Sequence, residues 1–203
     1  MSEFDSRARE WDKDKMHTER SVAISDALSE MIPLNGSMKA LEFGAGTGIL
    51  SFLLKDRFSE ITLMDNSSEM IKVCEEKIEY HKASHLKPVC FDLEHSDYAS
   101  PFDVIFTQMV LHHIDDISSI LAKFYRMLTP GGYLAIADLY AEDGSFHGEG
   151  FTGHNGFDID ELSYLLGEIG FKNIESKRCF VVKKMTSENV IKEFPVFILT
   201  ASK

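Results

Sequence analysis

LEFGAGTGILS, residues Leu41 to Ser51, joins the end of one apolar run to the start of another with a different period. Met38 to Phe43 reads as a short strand. Gly44-Ala45-Gly46-Thr47-Gly48 reads as a tight turn, and Ile49 to Phe58 as a helix with Leu50, Leu53 and Leu54 on its buried side. Glycines in such a turn let the backbone approach a ligand without Cβ atoms in the way, and the helix start offers N–H groups. About 20 residues on, where a second strand (Glu60 to Met64) ends, Asp65 can accept both hydroxyls of a ribose. Strand, turn, helix and distant acid together point to nucleoside binding rather than to a turn alone.

The same alternation continues outward. Thr18 to Ile32 is a helix stopped by Pro33 and Gly36. Ser67 to Tyr80 is a helix, Pro88 to Phe91 a third strand and Phe102 to Thr107 a fourth. Ile114 to Leu128 is a helix closed by Thr129-Pro130-Gly131-Gly132, and Tyr133 to Asp138 a fifth strand. Asp158 to Ile169 is a helix ended by Gly170, followed by late strands Asn173 to Lys183 and Pro195 to Ser202. This order predicts an α/β fold with a mostly parallel sheet, helices on both faces and an antiparallel ending. One domain over 1–203 is expected, with a helical cap over 1–36 and a glycine-rich lid over 139–157. The loops after Phe43, Met64, Phe91, Thr107 and Asp138 should line one crevice, because ligands sit beyond the carboxyl ends of parallel strands.

Composition narrows the partners. The formal charge is −12, from 21 basic and 33 acidic residues, which repels nucleic acid and anionic membranes. The basic stretches Lys183-Lys184 and Lys172 to Arg178 are short and mixed. No apolar run approaches the roughly 18 residues of a membrane span, and MSEFDSRAREWDKDK lacks the apolar core of a signal peptide. Cys74, Cys90 and Cys179 are odd in number and far apart, so reduced thiols and a cytoplasmic location are expected.

The glycine loop also selects among nucleosides. Ile49 occupies the last glycine position of a dinucleotide loop, and Glu42 stands just before the turn, where a pyrophosphate would be repelled. S-adenosylmethionine brings a sulfonium and an ammonium, which Glu42, Asp65 and Asp92 suit. Phe91-Asp92-Leu93 offers an acceptor and apolar surface for adenine. In LEFGAGTGILS, LMDNSSEMI (Leu63 to Ile71), FDLE (Phe91 to Glu94), FDVIFTQMVLHHIDD (Phe102 to Asp116) and LTPGGYLAIAD (Leu128 to Asp138), the chain resembles class I S-adenosylmethionine-dependent methyltransferases. FDSRAREWDKD (Phe4 to Asp14) is similar to the small-molecule branch that includes ubiquinone and menaquinone biosynthesis enzymes.

The resemblance implies a Rossmann-like seven-stranded sheet whose last strand inserts antiparallel, and an N-terminal segment folded over the cofactor. It implies that Glu42 and the backbone of Gly44, Ala45 and Gly46 hold the methionine portion, with Thr47 and Gly48 also among the cofactor-binding residues. Asp65, with Asn66 beside it, would meet the ribose, and Met70 would pack on adenine. Asp92 would meet the adenine amino group beside Leu93. Gln108 and His113 would stand near the methionine portion and the mouth of the substrate pocket. Apart from the resemblance, Trp11 reads as a cover for the cofactor, the alternative being packing against the last helix.

On the acceptor side, His112 or His113 is a candidate base, while Asp115 or Asp116 is expected to cap the next helix. Tyr140, His147 and His154, in the lid, are candidate substrate contacts, Tyr140 also as a catalytic group. His81 and His85 read as solvated surface. No metal is expected, since no dense Asp, Glu and His cluster shows in the sequence. The expected activity is methyl transfer to a small molecule by a monomer or homodimer. The alternative is a catalytically silent S-adenosylmethionine-binding module. A charge-assisted hydrogen bond contributes about 1.5–3 kcal/mol. Asp65→Ala is therefore expected to weaken cofactor binding roughly tenfold or more. Unchanged affinity in calorimetry would remove Asp65 from the site.

Overall fold

A computed structural model describes residues 3–186 and 190–203. Seven strands form one sheet in the order β3-β2-β1-β4-β5-β7-β6. They are β1 (Lys39–Phe43), β2 (Glu60–Asp65), β3 (Leu86–Cys90), β4 (Phe102–Gln108), β5 (Leu128–Leu139), β6 (Lys172–Met185) and β7 (Ile191–Ser202). The first five run parallel, while β7 pairs antiparallel with β5 and with β6. Helices α1 (Glu3–Arg7), α2 (Lys15–Met31), α3 (Ile49–Leu54), α4 (Ser68–His81), α5 (Ile117–Met127) and α6 (Ile159–Ile169) complete the fold. Strand order reverses between β1 and β4, whose registers pair Phe43 with Met64 on one side and with Thr107 on the other. The loops that leave this reversal share one edge, as expected for a parallel sheet.

Alternating residues of each central strand serve two cores. Leu41 and Phe43 of β1 face Ile120, Leu121 and Phe124 of α5 and Leu162 and Leu166 of α6. Ala40 faces the other way, toward Ile24 and Leu28 of α2, Leu50 and Leu54 of α3 and Cys74 of α4. Burial on both faces is why these strands read as continuous apolar runs. Caps set the helix starts. Ser67 accepts from Met70 N (3.2 Å), Asp116 from Ser119 N (2.9 Å), and Asp158 from Asp160 N and Glu161 N. Gly170 ends α6 at φ 116°.

Some boundaries differ from the sequence expectation. The helix expected from Ile114 begins at Ile117, because Leu111–His113 form a 3₁₀ turn and Asp116 is the cap. Thr129-Pro130-Gly131-Gly132 does not lie outside the sheet; it enters β5, across an irregularity in register with β4 between Phe102 and Val104. α2 starts at Lys15, one turn earlier than expected, capped by Asp14. β7 starts at Ile191 rather than Pro195, so its hairpin with β6 is longer than the apolar pattern suggested.

A cavity of about 510 Å³ is lined by Tyr98, Pro101, Lys123, Arg126 and Thr129. It lies where β4 and β5 begin, at the end of the sheet opposite the glycine loop, so it is not the expected ligand crevice. Phe124, fully buried, meets Phe43 edge-on at 5.2 Å and ties α5 to β1. Phe124→Ala is expected to cost about 3–5 kcal/mol in urea unfolding. A loss below about 1 kcal/mol would contradict this packing.

Candidate functional site: an acidic glycine loop beside a histidine cluster

The three loop glycines all have positive φ, but they differ in what surrounds them. A Cβ on Gly44 would run into Val110, and one on Gly48 would lie 2.7 Å from Leu63 Cδ2. At Gly46 (φ 54°) it would meet nothing within 4 Å. The first and last glycines are thus required by packing. The middle one faces open space, where a ligand can approach the backbone.

Acids surround that space. Glu42, at the carboxyl end of β1, is fully buried; one carboxylate oxygen accepts from the backbone N–H (3.1 Å) and hydroxyl of Ser51. Its Oε1 is buried without a hydrogen-bond partner among the described residues. Burial pushes the Glu42 pKa up to about 8 against the Ser51 hydrogen bonds. Asp65 accepts from Gly46 N (2.8 Å) and Ser67 N (2.9 Å), and burial raises its pKa too. Two N–H partners leave a carboxylate further acceptor capacity. Met70 is buried in the first turn of α4, Leu93 is buried after β3, and Asn66 is exposed.

The N-terminal segment lies across this loop as a strap. The hydroxyl of Thr47 donates to Asp12, Lys77 Nζ bridges Asp12 (2.7 Å) and the Thr47 carbonyl (2.8 Å), and Ser67 Oγ donates to Asp5 (2.6 Å). Trp11 stacks on His17 of α2 at 4.2 Å, with the Arg7 guanidinium 5.1 Å from its ring. The indole thus packs the strap against α2. Asp92 is half-buried just after β3. Its carboxylate is engaged by Glu94 N, His95 N and His95 Nδ1 (2.8 Å), closing its own turn. Gln108, at the end of β4, accepts from Ser21 Oγ of α2 (3.1 Å).

A histidine cluster is built by the turn after β4 and the loop after β5. His112 is buried; its Nδ1 donates to Asp138 Oδ1 (2.6 Å), itself buried at the end of β5. His113 lies 4.2 Å from His112 and 5.2 Å from His147, ring to ring, and His147 lies 5.0 Å from His112. Phe151 stacks on His147 at 3.9 Å. Burial, then the neighbouring His112, lowers the pKa of both His113 and His147 to about 4. The sequence expectation of no metal-ligating cluster needs correction. Each of these three histidines offers a ring nitrogen within 4.8 Å of the others. Residues 112, 113 and 147 have no ligand-like spacing, and only the lid's fold brings the third to the first two.

Other lid residues take supporting places. His154 N donates to the His112 carbonyl (2.8 Å), and its Nε2 to the Ile114 carbonyl (3.0 Å), so it fastens the lid instead of facing the cluster. Tyr140 lies edge-on against Phe197 at 5.4 Å. Asp116 is the cap expected of it. Sequence reading missed Asp138 and two buried residues of α2, Arg20 and Ser21. Burial lowers the Arg20 pKa to about 10 against the pull of Asp138, and its Nε is buried without a hydrogen-bond partner among the described residues. Their positions in an amphipathic helix held the only signal, polar groups on the side that faces the sheet. His81 and His85 stay apart from the site, near Phe52 and on the Lys55 carbonyl. All three cysteines are unpaired thiols.

Comparison with known proteins agrees with this layout. Residues 41–136 match the family model described as a methyltransferase domain. Over that stretch, just under half of its length, the chain is similar to S-adenosylmethionine-dependent methyltransferases. A malonyl-[acyl-carrier protein] O-methyltransferase of Enterobacter lignolyticus is 30% identical over 129 residues, 63% of this chain and 49% of that one. An uncharacterized methyltransferase of Schizosaccharomyces pombe is 27% identical over 155 residues, 68% of this chain and 55% of that one. The chain thus spans about half the length of these curated relatives. The fold is shared with a putative methyltransferase solved in complex with the Trm112 activator of Haloferax volcanii. That match has a TM-score of 0.77 at 15% identity and covers 100% of this chain and 98% of the other.

The cofactor of this family is S-adenosylmethionine, and the residues present fit it. The open space at Gly46 and the orphaned Oε1 of Glu42 stand where a cationic ligand gains most. The raised Glu42 pKa has a consequence for stability. Its folded value, about 8, lies above its usual 4.5, so the folded state holds the proton more tightly. Stability from this group is full below about 4.5 and is lost as the pH rises through about 8. Glu42→Gln should flatten that decline in chemical unfolding between pH 5 and pH 8. An equal decline in the variant would show that Glu42 is not its source.

Proposed function

We propose that this chain transfers the methyl group of S-adenosylmethionine to a small molecule seated between the lid and the turn after β4. The observation that carries this reading is the lid's attachment within the chain. Gly153 lies so close against the His112 carbonyl that a Cβ would collide, and His154 is fastened to the same turn. The acceptor side is thereby walled by His112, His113, His147 and Phe151, all from loops of this chain. The charge of −12 adds a field unfavourable to nucleic acid. Among the described residues no helix is long and apolar enough to cross a membrane. Three unpaired thiols fit a reducing, cytoplasmic setting.

The sulfonium is already a strong electrophile when bound, so the protein's part is alignment and exclusion of water. Two orphaned buried groups match the amino-acid end of the cofactor. Glu42 Oε1 is an acceptor for its ammonium, and Arg20 Nε is a donor for its carboxylate. Asp65 takes the ribose, Met70 and Leu93 pack beside the base, and the strap from Asp5 to Asp12 closes over the loop. The histidines stand at the acceptor's end, and burial keeps His113 and His147 neutral at physiological pH, able to receive a proton or an electron-poor partner. Tyr140, aligned on Phe197, shapes the wall behind them.

The test is a panel of small hydroxyl, carboxyl, thiol and amine acceptors, read by S-adenosylhomocysteine release. At least one acceptor should give release that falls tenfold or more in Arg20→Met, with cofactor affinity reduced in parallel. Tight cofactor binding with no release from any acceptor class would make the chain a silent binding module.

A further inference from the structure

We propose that His112, His113 and His147 form a binding site for one divalent transition-metal ion, zinc being the best match to an all-nitrogen set. The three rings come from two separate loops, the turn after β4 and the lid, and their ligand nitrogens already lie within 4.8 Å of one another. Bound zinc holds imidazole nitrogens at about 2.0–2.1 Å, so small ring rotations close the set.

Three further observations point to an ion. First, Asp138 takes the Nδ1 proton of His112 at 2.6 Å, with both groups buried. That bond leaves Nε2 of His112 as the nitrogen with a lone pair to offer. A carboxylate behind a ligating imidazole is the arrangement that fixes tautomer and raises ligand basicity in metal centres. Second, His147 Nε2 is buried without a hydrogen-bond partner among the described residues, although ring nitrogens are rarely left so. Third, Phe146 and Phe151 pack against the rings and hold them in place, Phe151 stacked on His147 and the other contacts edge-on or tilted. Phe146 is itself anchored edge-on to Phe194 of β7 at 5.0 Å, so His147 is presented by a packed residue, not by a loose loop.

Three protein ligands leave an open tetrahedral position, as in catalytic zinc sites. What occupies it rests on the acceptor reading above: the oxygen or sulfur of the methyl acceptor, which loses its proton to solvent on coordination. The new bond to the methyl carbon then forms as the carbon–sulfonium bond breaks, its electron pair going to sulfur. Metal binding itself requires no turnover and is tested apart from it.

The experiment titrates the full-length, chelator-stripped protein with cobalt(II), followed by visible absorption, and then displaces the cobalt with zinc. The expected result is one cobalt per chain with the intense bands of a four-coordinate site, displaced by one zinc. His147→Ala, which removes a lid ligand outside the sheet, should lower cobalt affinity at least tenfold with an unchanged thermal midpoint. Asp138→Asn should lower it roughly 10–100-fold. Absence of the bands, or cobalt binding to His147→Ala equal to that of the parent, would overturn the site. If Asp138→Asn does not fold, the His147 comparison alone decides. A chain that binds cobalt as described yet releases no S-adenosylhomocysteine would sink the transfer reading and leave the metal site standing.

Discussion

Everything functional in this molecule depends on the reversal of strand order between β1 and β4. Parallel strands must be joined by crossovers, so all of their carboxyl ends fall on one edge. Where successive crossovers go to opposite faces, the two loops leave in opposite directions and a crevice opens between them. The glycine loop leaves β1 and the histidine turn leaves β4 at that point. Val110, on the way into the histidine turn, fills the space beside Gly44, so the two halves of the site touch through one side chain.

The halves differ in electrostatics. The β1–β2 half carries Glu42, Asp65 and the strap acids Asp5 and Asp12, several buried or hydrogen-bonded to backbone N–H groups. Burying Glu42 and Asp65 is unfavourable in isolation, as their raised values show. A ligand carrying two positive charges relieves it. The β4–β5 half carries imidazoles and aromatic rings, with Asp138 as the buried acid behind them. Arg20 of α2 is buried within electrostatic reach of Asp138. A cationic donor on one side and an acceptor on the other is the polarity that methyl transfer from a sulfonium calls for.

The strap and the lid illustrate how far composition can mislead. Both segments lack dense apolar periodicity, and the lid holds glycines at 144, 148, 150, 153 and 156. They read as covers of uncertain shape. In the structure the strap is held by side-chain bonds from Asp5 and Asp12, and the lid by backbone pairs from Ala141 to Phe157 and from Glu142 to Asn155. Gly153 and Gly156 serve close approach, the first to the His112 carbonyl and the second to that of Tyr140. Glycine there marks a tight contact rather than freedom.

The sequence by itself determined the order of strands and helices, the glycine loop, and the acids at the ends of β1 and β2. These are local properties: apolar period, turn chemistry and caps act over a few residues. Its errors were also local, since Asp116 and the 3₁₀ turn before it moved the start of α5. Only the tertiary structure decided which titratable groups meet. Asp138 lies beside His112 because β4 and β5 are neighbours, and His147 joins them because the lid folds back on the same edge. Trp11 and Asp92 meet His17 and His95, partners only a few residues away in sequence. Side-chain proximity across distant segments depends on the whole fold, and no local pattern records it.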